Sequence, residues 1–399
     1  MKRPRPYAPE KVGFIAFSAL MLGHAAQGMT FTAFTPGLPE MAKSFNATGH
    51  GMEIAQQTVT IAALGVVAGS FLSGKIVDMV GSRITMLAML ALFGITGIGG
   101  LFLSNPVALL ASRVINGVSV ACLVTACVTM MSILFRDDER AKVIGTAGAM
   151  GAAASLISLL LGGILAQSFG WRAAFIQFPV FGLLGLLLAY FGIREIPRQV
   201  SGANSERQSW VKIFPLFVLT SLLSLVMFMG STQLAFLLPQ DGISTSTTIS
   251  FVMGTITVFA VLSGLSFGQL EHRLGLQNTL ALGFTSCCAG LSLIGLASSL
   301  TMAFAGAALL GAYVGIAVPY PYHAVMLKTT AHARAKSIGL LGAFNFLGAF
   351  LNPFIFGPIT KAYGLHDTFL VVAVFMGIFA AGTFLIARAK PPHIASQQT

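Results

Sequence analysis

One arginine and two histidines lie inside long apolar runs, namely Arg113, His24 and His323. An arginine in the middle of a membrane-spanning run costs about 2.5 to 3.5 kcal/mol on insertion scales, so a partner must compensate its charge. An imidazole gains and loses a proton near neutral pH. These residue types favour binding of an anionic group at Arg113 and proton transfer at His24 or His323. For each histidine, a packed and hydrogen-bonded role is the alternative.

Arg113 has one candidate acidic partner. None of the twelve acidic residues lies in the middle of an apolar run, and only Glu53 lies near enough in depth to reach the arginine. An ion pair between Glu53 and Arg113, or capping of Arg113 by backbone carbonyls, is therefore the alternative to an arginine that faces a cavity. Asn116 follows Arg113 by one helical turn and extends the same polar edge.

Further polar residues share faces with these three. Gln27 follows His24 at helical spacing, and Asn345 and Asn352 lie two turns apart. The prolines that flank Tyr320 free backbone carbonyls, which must face protein or water rather than lipid. The predicted cavity therefore comprises His24, Gln27, Arg113, Asn116, Tyr320, His323, Asn345 and Asn352.

The elements that position these residues are membrane-spanning helices. Of the 399 residues, 55% are hydrophobic and 9% are charged, against about 25% charged in soluble domains. Twelve apolar runs are each long enough to cross a bilayer, and helices satisfy their own backbone groups in lipid, so we predict an all-α membrane protein with twelve spans. The four cysteines lie within these runs, which disfavours disulfides and metal sites, and we expect no cofactor.

The loops between the runs carry the charge. Nineteen of the lysines and arginines fall on one predicted side of the membrane, whereas Lys43, Arg172 and Lys361 fall on the other. This bias predicts that both termini are cytoplasmic, and it explains the net charge of +11 without a nucleic-acid partner.

The two halves of the chain align at an offset of 194 residues. Gly74 and Gly81 recur as Gly268 and Gly275, and Gly117 recurs as Gly311. This repeat predicts a duplication with a site between the halves. The predicted domains are a six-helix half at 1–193, a cytoplasmic linker at 194–211 and a second six-helix half at 212–399.

The turn between the second and third runs carries a Gly-x-x-x-Asp-x-x-Gly-x-Arg motif. Gly74, Asp78, Gly81 and Arg83 match it, and the pattern resembles the major facilitator superfamily. Arg-x-x-x-Gly at 113–117 and Gly-Trp-Arg at 170–172 extend the resemblance over nearly the whole chain. It implies a transporter that works by alternating access, as a monomer, with this loop latching the cytoplasmic side closed.

The resemblance is strongest to bacterial exporters of drugs and metabolites, which implies a bacterial inner membrane. We therefore expect proton-coupled export of a small organic solute rather than catalysis. A cavity without carboxylates favours an anionic, zwitterionic or neutral amphipathic solute over a cation. Span five lacks the Gly-Pro-x-x-Gly-Gly motif that proton-driven exporters often carry. An uptake permease or facilitator for an organic anion, and a receptor or scaffold that does not transport, remain alternatives.

Overall fold

The computed structural model describes residues 13–135, 137–194, 213–329 and 331–389, and these residues form an all-helical bundle. Twelve helical segments within them are long and apolar enough to cross a membrane, which confirms the predicted number. The predicted linker at 194–211 lies, apart from Arg194, outside the described residues. The α-helices are α1 (Phe14–Thr32), α2 (Leu38–Ser44), α3 (Gly51–Val80), α4 (Ser82–Phe102), α5 (Pro106–Leu134), α6 (Asp137–Phe169), α7 (Gln177–Gly192), α8 (Phe214–Thr232), α9 (Leu234–Leu237), α10 (Ser246–Leu274), α11 (Leu276–Gly295), α12 (Leu300–Ala317), α13 (Pro319–Lys328), α14 (Ala331–Tyr363) and α15 (Leu365–Ala389).

Three of the twelve spans combine two helices. The span Phe14–Ser44 contains α1 and α2, the span Phe214–Asp241 contains α8 and α9, and the span Leu300–Lys328 contains α12 and α13. The last break falls at Val318, because Pro319 begins α13 and has no N–H to continue the hydrogen-bond ladder of α12.

The turns between helices repeat the sequence duplication in the backbone. Gly81 ends α3 with φ 95° and Gly275 ends α10 with φ 81°. Gly170 and Gly364, which also lie 194 residues apart, follow α6 and α14 with φ 82° and 87°. Since side chains disfavour positive φ, glycine is required at these four turns. The repeat thus preserves backbone conformation as well as residue identity.

Each half packs through close helix contacts that the duplication also repeats. A Cβ on Gly117 of α5 would lie 2.0 Å from the carbonyl oxygen of Ala62 on α3. At the shifted positions, a Cβ on Gly311 of α12 would lie 2.4 Å from the carbonyl oxygen of Ile256 on α10. Small residues let membrane helices approach in this way. The two halves therefore share the same internal packing.

Close contacts between the halves are found toward one end of the bundle. We call the basic end the one where α1 begins and where the α3–α4 and α10–α11 turns lie, and the distal end the opposite one. Toward the distal end, α6 touches α10 so closely that a Cβ on Gly163 would lie 2.4 Å from Oγ of Ser250. Toward the basic end, a Cβ on Gly145 of α6 or on Gly339 of α14 would have open space. Gly145 and Gly339 therefore make no close helix contact of the kind that Gly163 makes.

Candidate functional site

Arg113 is completely buried, and its guanidinium is held by backbone and amide oxygens. Nη2 donates to the carbonyl of Thr30 at 2.6 Å, Nε to the carbonyl of Thr58 at 3.3 Å and Nη1 to Oδ1 of Asn116 at 3.1 Å. The carbonyl of Thr30 is available because α1 ends two residues later. Arg113 therefore ties α1 and α3 to α5 instead of facing a cavity.

Two aromatic rings pack against the Arg113 guanidinium. Its carbon lies 5.0 Å from the ring centroid of Phe34 and 4.9 Å from that of Phe178, so cation–π attraction adds to the hydrogen bonds. Asn116 continues the network, since its Nδ2 donates to Oγ1 of Thr96 at 3.1 Å. We call Arg113, Asn116, Thr30, Thr58, Phe34 and Phe178 the arginine knot.

The predicted ion pair between Glu53 and Arg113 is wrong. Glu53 lies in the first turn of α3 at the distal end, where one carboxylate oxygen binds Nζ of Lys361 and the other lies 3.0 Å from Nδ1 of His50. The carboxylate is thus occupied, while carbonyls meet the needs of Arg113. The alternative prediction, an arginine capped by carbonyls, describes what the structure contains.

Asn352 is also buried within one half. Its Nδ2 donates to the carbonyl of Leu225 at 2.8 Å, and its Oδ1 accepts from Oγ1 of Thr232 at 2.8 Å. Asn352 therefore joins α14 to α8, much as Asn116 joins helices of the first half. Neither amide is open to a solute, because both residues are completely buried.

An aromatic cluster closes the space between the halves. The ring of Phe31 on α1 stacks on Phe346 of α14 with centroids 5.4 Å apart, and it meets the edge of Phe228 of α8 at 5.5 Å. We call Phe31, Phe228 and Phe346 the aromatic roof. It joins both halves and lies on the distal side of His24 and Gln27, which precede Phe31 on α1.

Three of the predicted cavity residues lie partly exposed near the aromatic roof. They are His24 and Gln27 on α1 and Asn345 on α14. Among the described residues, Nδ1 of His24 is buried without a hydrogen-bond partner. The side-chain amide of Asn345 is also without one, while its backbone carbonyl accepts from Oγ of Ser224. These side chains are partly exposed, in contrast to the asparagines at 116 and 352, which are completely buried.

His323 has a carboxylate partner that the sequence does not reveal. Its Nδ1 lies 3.0 Å from Oε2 of Glu271, so the pair connects α13 to α10 toward the basic end. Both side chains are about a quarter exposed, at 29% and 25%. Tyr320, one turn earlier, is buried at 8% exposure. The equivalent positions of the first half are Val77 and Thr129, so only the second half carries this ionisable pair.

In the motif loop at the basic end, Arg83 contacts α7. Nη2 of Arg83 donates to the carbonyl of Tyr190 at 3.3 Å, and its guanidinium lies 5.8 Å from that ring centroid. Asp78 is exposed, and the described residues offer it neither an ion pair nor a hydrogen bond. A Cβ on Gly74 would meet open space. Arg83 thus joins the loop to α7 of the same half.

Comparison with known proteins places these features in a family. A sequence profile described as "Major Facilitator Superfamily" matches residues 20–353 and 220–399. The chain is 23% identical over 185 residues to "Multidrug resistance protein MdtL" of Escherichia coli O157:H7, covering 46% of each chain. It is 27% identical over 169 residues to "Puromycin resistance protein pur8" of Streptomyces alboniger, covering 42% of this chain and 32% of that protein.

A solved structure shows the same fold at full length. The nucleoside transporter NupG superimposes with a TM-score of 0.73 at 14% identity, covering 96% of this chain and all of that one. Identity at this level shows the fold alone. The chain spans about half the length of the curated relatives that it matches in sequence.

Proposed function

The chain belongs to the major facilitator superfamily, and on this basis we propose that it is a secondary active transporter of a small organic solute. It is an integral membrane protein with twelve spans. One observation carries the proposal. The aromatic roof seals the space between the halves on the distal side, whereas His24, Gln27 and Asn345 remain accessible beneath it. A site open to one side, between two halves of repeated sequence, is the arrangement that alternating access requires.

We place the basic end in the cytoplasm of a bacterial cell, with the protein in the inner membrane and both termini inside. The distribution of lysine and arginine supports this orientation. In that orientation the structure represents the inward-open state of a protein that functions as a monomer. Export fits the two drug-resistance relatives and a site that loads from the cytoplasm.

The arginine knot bears on the class of solute. Arg113 is the cation that would favour an anion, but it is completely buried and its guanidinium donates to protein oxygens and packs against two aromatic rings. The accessible polar groups near the roof are two amides and an imidazole, beside three phenylalanine rings. Of the anionic, zwitterionic and neutral amphipathic classes, this lining favours a neutral amphipathic solute that carries an aromatic ring.

Proton coupling is placed at the pair of His323 and Glu271, with His24 as the other titratable group near the site. A proton on Glu271, or loss of one from His323, removes the attraction that joins α10 to α13. Since both side chains are partly exposed toward the basic end, protons can exchange with the cytoplasm in the inward-open state.

A screen followed by a flux assay tests this function. Purified protein is heated with neutral, anionic and permanently cationic aromatic solutes, with puromycin among the probes, since a ligand that binds the folded state raises the unfolding temperature. We expect the neutral aromatic group to stabilise most. The strongest hit is then loaded into proteoliposomes with an imposed pH gradient. Stabilisation confined to permanent cations, or no flux of the strongest hit, would contradict the proposal.

A matched pair of variants tests the coupling site. His323→Gln should uncouple flux from the pH gradient, because glutamine keeps hydrogen bonding but does not titrate. His272→Gln is the control, since His272 is an exposed histidine beside Glu271 on the same helix. If solute flux through the two variants responds equally to the pH gradient, His323 is not part of the coupling mechanism.

A further inference from the structure

Among the described residues, two polar contacts join the halves at the distal end, one on each seam of the bundle. On the seam between α3 and α14, the carboxylate of Glu53 binds the ammonium of Lys361. On the seam between α6 and α10, the backbone N–H of Thr247 donates to Oε1 of Gln167 at 3.2 Å. In each case one partner belongs to the first half of the chain and the other to the second.

The two contacts are copies of one another. Adding the repeat offset of 194 to Glu53 gives Thr247, and adding it to Gln167 gives Lys361. Each contact therefore pairs the first turn of one helix with the last turn of another, at equivalent places in the duplicated fold. One copy is an ion pair and the other is a neutral hydrogen bond. The contact is thus present in both copies of the repeat, but only the copy formed by Glu53 and Lys361 is charged.

The charged copy is favourably placed within its own helices. Glu53 stands at the N-terminus of α3 and Lys361 at the C-terminus of α14, where each charge complements the helix dipole. His50 shares the carboxylate through its other oxygen, but it belongs to the same half as Glu53 and does not bridge the seam.

We propose that these two contacts, the distal latch, hold the outer side of the transporter closed, and that the ion pair sets how often it opens. This inference rests on the proposed alternating-access function. Opening at the distal end must separate α3 from α14 and α6 from α10, so both contacts must break. Because the side chains of Glu53 and Lys361 are 38% and 68% exposed, the ion pair contributes modestly. Removing it should raise the ratio of outward-open to inward-open molecules about two- to five-fold.

Charge variants separate a latch from an incidental surface pair. Glu53→Gln and Lys361→Gln should each raise the outward-open population. The reversed pair, Glu53→Lys with Lys361→Glu, should return the population toward the wild-type value. Installing charge on the other seam, with Thr247→Glu and Gln167→Lys, should lower it by a similar factor.

The populations are measured by electron–electron resonance between spin labels on the two halves. Labels at Ser44 and Ser298 suit this purpose, because both residues are exposed at the distal end on opposite halves. Cys288 is replaced by serine, since the other three cysteines are buried. His50→Gln serves as the control that should leave the distance distribution unchanged. Monodisperse elution of each variant verifies folding.

The outcomes distinguish failure of the distal latch from failure of the proposed alternating-access function. Both tests of the distal latch require that the wild type has a long-distance population. The distal latch is then wrong if the neutral variants leave the distances unchanged. It is also wrong if the reversed pair behaves as the two single substitutions combined. Absence of any long-distance population, in every variant and with solute present, would instead contradict alternating access itself.

Discussion

Replacement of Arg113 by methionine distinguishes a structural arginine from a solute-binding one. The change removes donors from the carbonyls of Thr30 and Thr58 and from the amide oxygen of Asn116, in surroundings without solvent. Each orphaned acceptor costs about 1 kcal/mol at the low end. The lost cation–π contacts with Phe34 and Phe178 add to this cost, and relief of the buried charge offsets part of it. We expect a net loss of about 3 kcal/mol.

Arg113→Lys provides the graded comparison, because lysine keeps the charge but cannot span three acceptors with a planar fork. Thermal unfolding of purified protein, followed by intrinsic fluorescence, should rank wild type above Arg113→Lys and Arg113→Met last. Solute bound to folded Arg113→Lys, measured by equilibrium dialysis of the strongest screening hit, should retain its affinity within a few fold. An unchanged unfolding temperature for Arg113→Met, accompanied by lost solute binding, would refute the arginine knot.

Three further substitutions, one of them with a control variant, have expected outcomes. Asp78→Asn should slow solute flux while leaving affinity within a few fold and the unfolding temperature unchanged, since Asp78 is exposed and pairs with none of the described residues. Gly117→Val should lower the unfolding temperature by the equivalent of about 1 to 3 kcal/mol or more, because its Cβ would meet a backbone carbonyl at 2.0 Å. Gly268→Ala, a helix position with open space, is its control and should be neutral or slightly stabilising. Gln27→Leu should weaken solute binding in dialysis without lowering the unfolding temperature, because its partly exposed amide has no structural partner among the described residues.

The spans and the duplication are readable from the sequence because both depend on local information. Apolar length determines which segments cross the membrane, and a backbone with positive φ requires glycine wherever it recurs. The repeated glycines at 81 and 275 therefore indicate where each turn lies and that the two turns are equivalent.

The partners of buried polar residues could not be read in the same way. Arg113 and Glu53 are comparable in depth, but depth does not determine which face of each helix turns toward the other. The structure shows that α1 ends where its carbonyl meets the arginine, a consequence of packing that no spacing encodes. Glu271 lies near the end of α10, and only the structure shows that it faces His323.

The distal latch lies between these two cases. The offset of 194 relates Glu53 to Thr247 and Gln167 to Lys361, so the sequence contains the symmetry of the two contacts. It does not indicate that the paired positions touch, because their residue types differ between the copies. Only the structure connects them.

Alternating access means that the site is reached in turn from each side of the membrane. Labelling of a single cysteine measures this accessibility directly, without knowledge of the solute. Gln27→Cys, in a Cys288→Ser background, places a thiol beneath the aromatic roof. A membrane-impermeant maleimide is applied to intact cells and, separately, to inverted membrane vesicles. We expect labelling from both sides, with labelling from outside reduced when Thr247→Glu and Gln167→Lys add charge to the second seam. Labelling from neither side, or from one side only in every variant, would contradict alternating access.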